Sequence, residues 1–472
     1  MATSQSAVNV QRGKGWVNNM SELRNARHLS VHDLRRRINE GDIDTVVVAF
    51  TDMQGRLQGE RLHAAYFAEH VFDHGTEGSA YLLAVDVDMN IDDRYAMPSP
   101  EKSDGDISLV LDMQTIRLLR HQPGAVMVQC DAVWPDQTPV AQSPRTILKQ
   151  QLAAAADRNY HVLAGTQLQF MAFHTSYEDA WNAQYRDLAL VNQYNVDSSV
   201  LGGSRIEPLL REIRNETYAA GMDVESAKGE HDRGQYEIGL GHADALTTAD
   251  NHAVFKTMAK EIAAQHGKAI TFMAKYDEGQ GNSCHIQLSL RGADGSTVFW
   301  SDHGRTKIFH SFVAGLLATL YDFTLLYAPN VNSYKRFAAG SAGPTTIAWG
   351  QDNRCAVRLL GHEESARLEN RVPGGDVNPY LAFAAMIAGG LYGLDHDLEL
   401  GIELTGNVHP SDFPSIPRTL REARQAFASS HIARAAFGDD VVDHYTTMAD
   451  VELEAFDAAV TDWELRRGFE RM

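Results

Sequence analysis

The chain predicts an α+β fold in two unequal domains, and three observations carry that reading. Residues 31–135 mix one short helix with several strands, and the prolines at 135, 139 and 144 then punctuate a boundary. Beyond it, four strand-like segments carry polar side chains at every second position against mostly apolar alternates. Long apolar helices follow those strands, and 472 residues are enough for both parts.

Val31 to Asn39 reads as a helix that Gly41 ends. Thr45 to Phe50 is a β-branched strand and Thr51 to Gly55 a turn, with further strands expected at Tyr81 to Val87 and Ala125 to Cys130. In the larger part, helices are expected at Arg145 to Arg158, Glu207 to Ala220 and Ala249 to His266. Val162 to Phe173 is a strand, and Val224 to Leu240 reads as two strands around a turn. Thr271 to Lys275 and Cys284 to Leu290 are the next strands. The apolar runs Phe312 to Ala328 and Leu381 to Leu394 are too short or too interrupted to span a bilayer and read as buried helices. Asp440 to Glu470 closes the chain as helix.

A formal net charge of −20 with no basic stripe argues against a nucleic-acid partner. Residues 1–30 lean basic (Arg12, Lys14, Arg24, Arg27) and read as a flexible or oligomer-contacting extension without a signal-peptide core. Cys130, Cys284 and Cys355 form no CxxC and no even framework, which fits a reducing cytoplasm and rules out a cysteine-built zinc site.

The polar positions are Gln167/Gln169, Ser226/Lys228/Glu230, His285/Gln287/Ser289 and Arg367/Glu369/Arg371. Strands of this kind have one packed and one wet face. A solvated surface would explain one such strand, whereas four of them bearing His, Glu and Arg suggest a concave polar floor. Glu230 and Glu237 bracket the turn HDRGQY, so both can reach one point from adjacent strands. Oxygen ligands with one imidazole suit Mg²⁺ or Mn²⁺. Arg367 and Arg371 flanking Glu369 suit a phosphorylated or carboxylate ligand. Pro373-Gly374-Gly375 then turns the chain into the helix opened by Asn378-Pro379-Tyr380.

Six motifs, in order, resemble the type I glutamine synthetase superfamily. They are FTDMQGR (Phe50–Arg56), KGEHDRGQYEIGL (Lys228–Leu240), FMAKYDEGQGNSCHIQLSL (Phe272–Leu290), NSYKRF (Asn332–Phe337), AWGQDNR from Ala348, and RLENRVPGGDVNPYLAFAA. The resemblance spans about residues 30–472 and is nearest the branch that makes γ-glutamyl amides from ethanolamine or polyamines. Ala342 stands where ammonia-using members carry a flap glutamate. The resemblance implies a β-grasp domain over 31–135 and a catalytic domain over 136–472 with a curved antiparallel sheet. It also implies a ring oligomer, commonly a dodecamer, with active sites shared between subunits. Asp52 would reach the amine across that interface, and Arg336 and Arg371 would hold the γ-carboxylate or the acyl phosphate. Arg354, Arg358 and Arg367 would face ATP phosphates, with Ser289 nearby. Glu230 and Glu237 match two ligands of one metal, and His285 and Glu369 two ligands of another.

The remaining ligand of each ion comes, in the family, from a Glu-x-Glu pair that is Gln167 and Gln169 here, and a further family histidine is Gln287. Two lost carboxylates favour one Mg²⁺ or Mn²⁺, or a weakly held pair, over two tight ions. The leading expectation is an ATP-dependent carboxylate–amine ligase, γ-glutamylating a small organic amine at a remodelled metal site. The alternatives are an ATP-independent, metal-assisted hydrolase that deamidates or dehalogenates an amine-bearing compound, and a ring-forming pseudoenzyme.

Overall fold

Ser30 caps the first helix, Val31–Glu40, by accepting from Asp33 N, and Gly41 ends it in the left-handed region at φ 80°. The structure, a computed structural model, describes residues 29–97, 105–279, 281–338, 343–351, 355–405 and 412–472. After the helix come strands β1 (Thr45–Thr51), β2 (Leu57–His63), β3 (Thr76–Ser79), β4 (Asp106–Leu118) and β5 (Ala125–Val133). They pair in the order β2-β1-β5-β4-β3. The β-branched β1 is buried on both faces and lies parallel to β5 at the centre of the sheet.

Sequence periodicity misses β2, whose LQGERLH carries no apolar stripe. It forms because the Asp52–Gly55 turn folds it onto β1, and an edge strand tolerates polar side chains on both faces. The strand expected at Tyr81 to Val87 is instead a 3₁₀ turn, Ala80–Leu83, followed by a loop. Asp86 organises that loop, its Oδ1 accepting from Asp88 N (2.9 Å) and Asn90 N (2.7 Å), so that Val85 pairs only in an isolated bridge to Ile91.

The larger sheet holds β6 (Tyr160–Phe173), β7 (Val224–Gly229), β8 (Gln235–Asp244), β9 (Ala269–Thr271) and β10 (Cys284–Gly292). A small hairpin of β11 (Trp300–Ser301) and β12 (Gly304–Arg305) precedes its last members, β13 (Thr346–Gly350), β14 (Cys355–Leu360) and β15 (Arg367–Asn370). The order is β13-β14-β15-β10-β6-β8-β7, with β9 on β6. The expectation of an antiparallel sheet needs one correction, since β13 runs parallel to β14. Thr271 to Lys275 is strand only as far as Thr271. Asn282 Nδ2 binds the carbonyls of Thr271 and Met273 (3.3 and 2.8 Å) and so replaces the ladder there.

Helices Pro144–Ala156, Ala245–Gln265, Lys307–Thr319 and Pro379–Asp395 pack around one core that also takes in the first sheet. Helix Pro379–Asp395 is buried almost all round, with Asn378 as its cap and Pro379 opening it. It approaches helix Lys307–Thr319 so closely that a Cβ on Gly393 would collide with the Ser311 carbonyl oxygen and with Gly315. The closing helix is two pieces, Asp439–Ala458 and Asp462–Gly468, because Ala459 turns extended and Thr461 starts a new cap.

Candidate active site

Sheet order sets three of the four polar strands, β15, β10 and β6, side by side and puts β8 between β6 and the fourth, β7. Cross-strand register then draws three lines over one face. Arg358, Glu369, Gln287 and Gly165 form the first. His285, Gln167, Gly239 and Ser226 form the second, and Gln169, Glu237 and Lys228 the third. Two charged clusters result, centred on Glu237 and Glu369, three strand steps apart across the sheet and offset along it.

In the first cluster the Lys228 ammonium pairs with Glu230 Oε1 and lies 3.6 Å from Glu237 Oε1. Burial opposes the charge on Lys228, but the hydrogen bond to Glu230 and the nearby Glu237 outweigh it and raise the pKa above the ordinary lysine range. Burial, and then Glu230, push Glu237 up. Gln169 Nε2 donates to Glu237 Oε2 at 3.3 Å while its Oε1 accepts from Ser283 N at 2.8 Å. A backbone N–H can only donate, so this contact decides which end of the amide faces Glu237.

In the second cluster Glu369 is buried, with Arg371 Nη1 at 3.2 Å and Arg358 Nη1 at 3.7 Å from its Oε2. Arg367 Nε donates to Gln287 Oε1 at 2.6 Å. Between the clusters, burial and then Arg371, Arg336, Arg358 and Lys228 hold His285 well below the usual imidazole range, so it is neutral. Arg336, just past helix Val331–Lys335, is almost fully buried; it donates to Ser283 Oγ (3.2 Å) and to the Val372 carbonyl. Burial pulls its pKa down to about 10. Ser289 is buried two residues beyond Gln287 on β10.

The structure therefore brings together Gln167, Gln169, Glu230, Glu237, His285, Ser289, Arg336, Arg358, Arg367, Glu369 and Arg371. Asp52 is elsewhere in its own chain. It is fully buried in the β1–β2 turn, accepting from Gln54 N (3.0 Å), Arg56 N (2.8 Å), Arg56 Nε (2.7 Å) and Gln58 Nε2 (2.9 Å). Arg354, Ala342 and residues 1–28 of the extension lie outside the described residues.

Sequence reasoning gave one member of the face no role and missed another. Lys228 stood in the polar pattern without a role, although its spacing of two from Glu230 was the signal. His242 was hidden by a β-bulge, because parity along β8 puts it on the opposite face from Glu237. The register shift opposite Ala164 and Thr166 flips the strand, so His242 lies over Gly165, beside Gln287 and 3.6 Å from Glu225. Burial, then Arg367, lower its pKa.

As arranged, these donors do not fit a two-ion centre. Among the described residues no group of three or more His, Cys, Asp or Glu side chains is gathered for a metal. Glu230 and Glu237 share one protein cation, Lys228, and Glu369 faces two, Arg358 and Arg371, so the first cluster keeps at most one unit of negative charge for a divalent ion and the second none.

Comparison with known proteins places the chain among its relatives. The catalytic domain of glutamine synthetase, as a family, matches residues 141–468. The γ-glutamylethanolamide synthetase GlnA4 of Streptomyces coelicolor is 55% identical over 445 residues, covering 94% of this chain and 96% of that protein. A glutamate–isopropylamine ligase of a Pseudomonas species is 32% identical, covering 95% and 99%. The solved GmaS/ADP complex matches with a TM-score of 0.80 at 26% identity, over 93% of this chain and 99% of that one. The fold is the mixed helix-and-strand fold of that family, with its curved sheets.

Proposed function

The chain belongs to the glutamine synthetase family, and from that premise we propose that it is a ligase that γ-glutamylates a small organic amine. The observation that carries the reading is the cationic wall of Arg336, Arg358, Arg367 and Arg371, which outnumbers the single carboxylate, Glu369, that two of them pair with. Transfer of a phosphoryl group to a carboxylate, followed by displacement of phosphate, moves negative charge through such a wall. Relatives named for ethanolamide and isopropylamine products supply the substrate class.

The carboxylate oxygen attacks the γ-phosphorus of ATP, ADP leaves, and an acyl phosphate forms. The amine nitrogen then attacks the carbonyl carbon, the C–O bond to phosphate breaks, and the nitrogen loses a proton. Arg336 and Arg371 suit the acyl phosphate, and Arg358 and Arg367, with Ser289 near them, suit the nucleotide. Members of this family use ATP and a divalent metal. Here Mg²⁺ or Mn²⁺ belongs with the nucleotide.

The first sheet is read as the β-grasp domain (31–135) and the remainder as the catalytic domain (136–472), in a cytoplasmic ring oligomer. Asp52, held away from the strand cluster of its own chain, would serve a neighbouring subunit. No helix among the described residues is long and apolar enough to cross a membrane.

The test is ADP release from ATP with glutamate across a panel of aliphatic and aromatic amines, with products read by mass spectrometry. Amine-dependent ADP together with a γ-glutamyl amide is the expected result. An amine altered without ADP would replace the ligase by a hydrolase.

A further inference from the structure

We infer that the Lys228 ammonium is the resident cation of the Glu230–Glu237 cluster, standing in the place where the family resemblance puts a divalent ion. The inference rests on the family reading of this site and not on the ligase activity.

Three features agree. The first is position, for Lys228 is the cross-strand partner of Glu237 and pairs with Glu230 as well, so one ammonium engages both carboxylates. The second is the amide of Gln169. Its oxygen, the one atom that could ligate a cation, already accepts from Ser283 N, and its NH₂ points at Glu237. A donor aimed at a carboxylate complements an ammonium already bound there and opposes a metal that would need the same lone pairs. The third is charge. A glutamate at 169 would add a third carboxylate to Glu230 and Glu237, a set suited to a divalent ion. The glutamine leaves two carboxylates, which one ammonium and one amide donor serve. The substitution at 169 and the lysine at 228 therefore form one arrangement, a site whose positive charge is supplied by the chain.

The consequence is that the protein without nucleotide holds no ion at this cluster. The experiment is a Mn²⁺ titration followed by electron paramagnetic resonance on the full chain, without nucleotide, in four forms. These are wild type, Lys228→Met, the pair Gln167→Glu/Gln169→Glu, and all three changes together, with assembly and secondary structure checked for each. Wild type is expected to leave the free Mn²⁺ signal undiminished. The triple variant is expected to bind Mn²⁺ stoichiometrically, on the order of 100-fold tighter than the glutamate pair that retains Lys228. Stoichiometric Mn²⁺ on the wild type overturns the inference, as does equal affinity with and without Lys228. Amine-dependent ADP release is scored separately. A wild type that binds no Mn²⁺ and makes no amide keeps the inference and sinks the ligase; one that makes amide and binds Mn²⁺ does the reverse.

Discussion

Glu369 lies between two guanidiniums at 3.2 and 3.7 Å, and removing it leaves Arg371 and Arg358 to repel each other across the floor of the site. Glu369→Ala is expected to lower amine-dependent ADP release by roughly 100-fold or more with the fold intact by circular dichroism. Full activity in that variant would remove this cluster from the chemistry. Two buried histidines set a different residue-scale expectation. Burial lowers His444 to about 4, and burial, then Lys256, lowers His252 well below 6.5. Both are neutral in the folded chain, while the unfolded chain takes up protons below about 6.5. Their stabilising contribution is complete above that pH and is lost as pH falls toward 4, where His444 alone accounts for about 3 kcal/mol. Urea midpoints at pH 7, 5.5 and 4 should fall in step, and His444→Phe should flatten part of the slope. An unchanged slope would clear His444 of that role.

At the scale of elements, Arg145 ties the first sheet to the helices of the larger part. It opens helix Pro144–Ala156, is almost fully buried, and pairs with Asp112 on β4 (2.6 Å), Asp131 on β5 (2.5 Å) and Asp250 on helix Ala245–Gln265 (3.0 Å). Tyr380 donates to the same Asp250 at 2.6 Å, which brings helix Pro379–Asp395 into the junction. Burial opposes the charge on Arg145, but Asp250 and then Asp131 outweigh it and raise its pKa. Arg145→Met strips three carboxylates of their partner in a desolvated place and should cost about 3–5 kcal/mol in denaturant unfolding. A cost under about 1 kcal/mol would mean the junction is wet, with the pairs worth no more than surface ones.

For the whole molecule, the location of Asp52 is the deciding fact. Its carboxylate is enclosed by its own turn, so the proposed role at a neighbouring chain's amine requires that turn to release it when chains assemble. Asp52→Asn and Glu369→Ala, each inactive alone, should recover activity when the two chains are co-expressed and assemble together. Mass photometry should show mixed rings at a high multiple of 52.1 kDa. Mixed rings without activity would place both residues in one subunit's site or leave Asp52 a purely structural part of its turn.

The sequence by itself determined which segments are strands with one wet face, where the long buried helices lie, and which family's motifs they carry. Period-2 alternation and turn residues are local properties, so Lys228, Glu237, His285 and Glu369 could be named from the chain alone. What alternation does not encode is the neighbour across a ladder. Only the tertiary structure decided that Lys228 faces Glu237, that a bulge turns His242 onto the working face, and that Ser283 N orients the Gln169 amide. It likewise decided that a polar segment, β2, becomes an edge strand and that Tyr81 to Val87 does not become a strand at all. These outcomes depend on hydrogen bonds and charges between residues far apart in the chain, and such pairings come into being only when the sheet order is set.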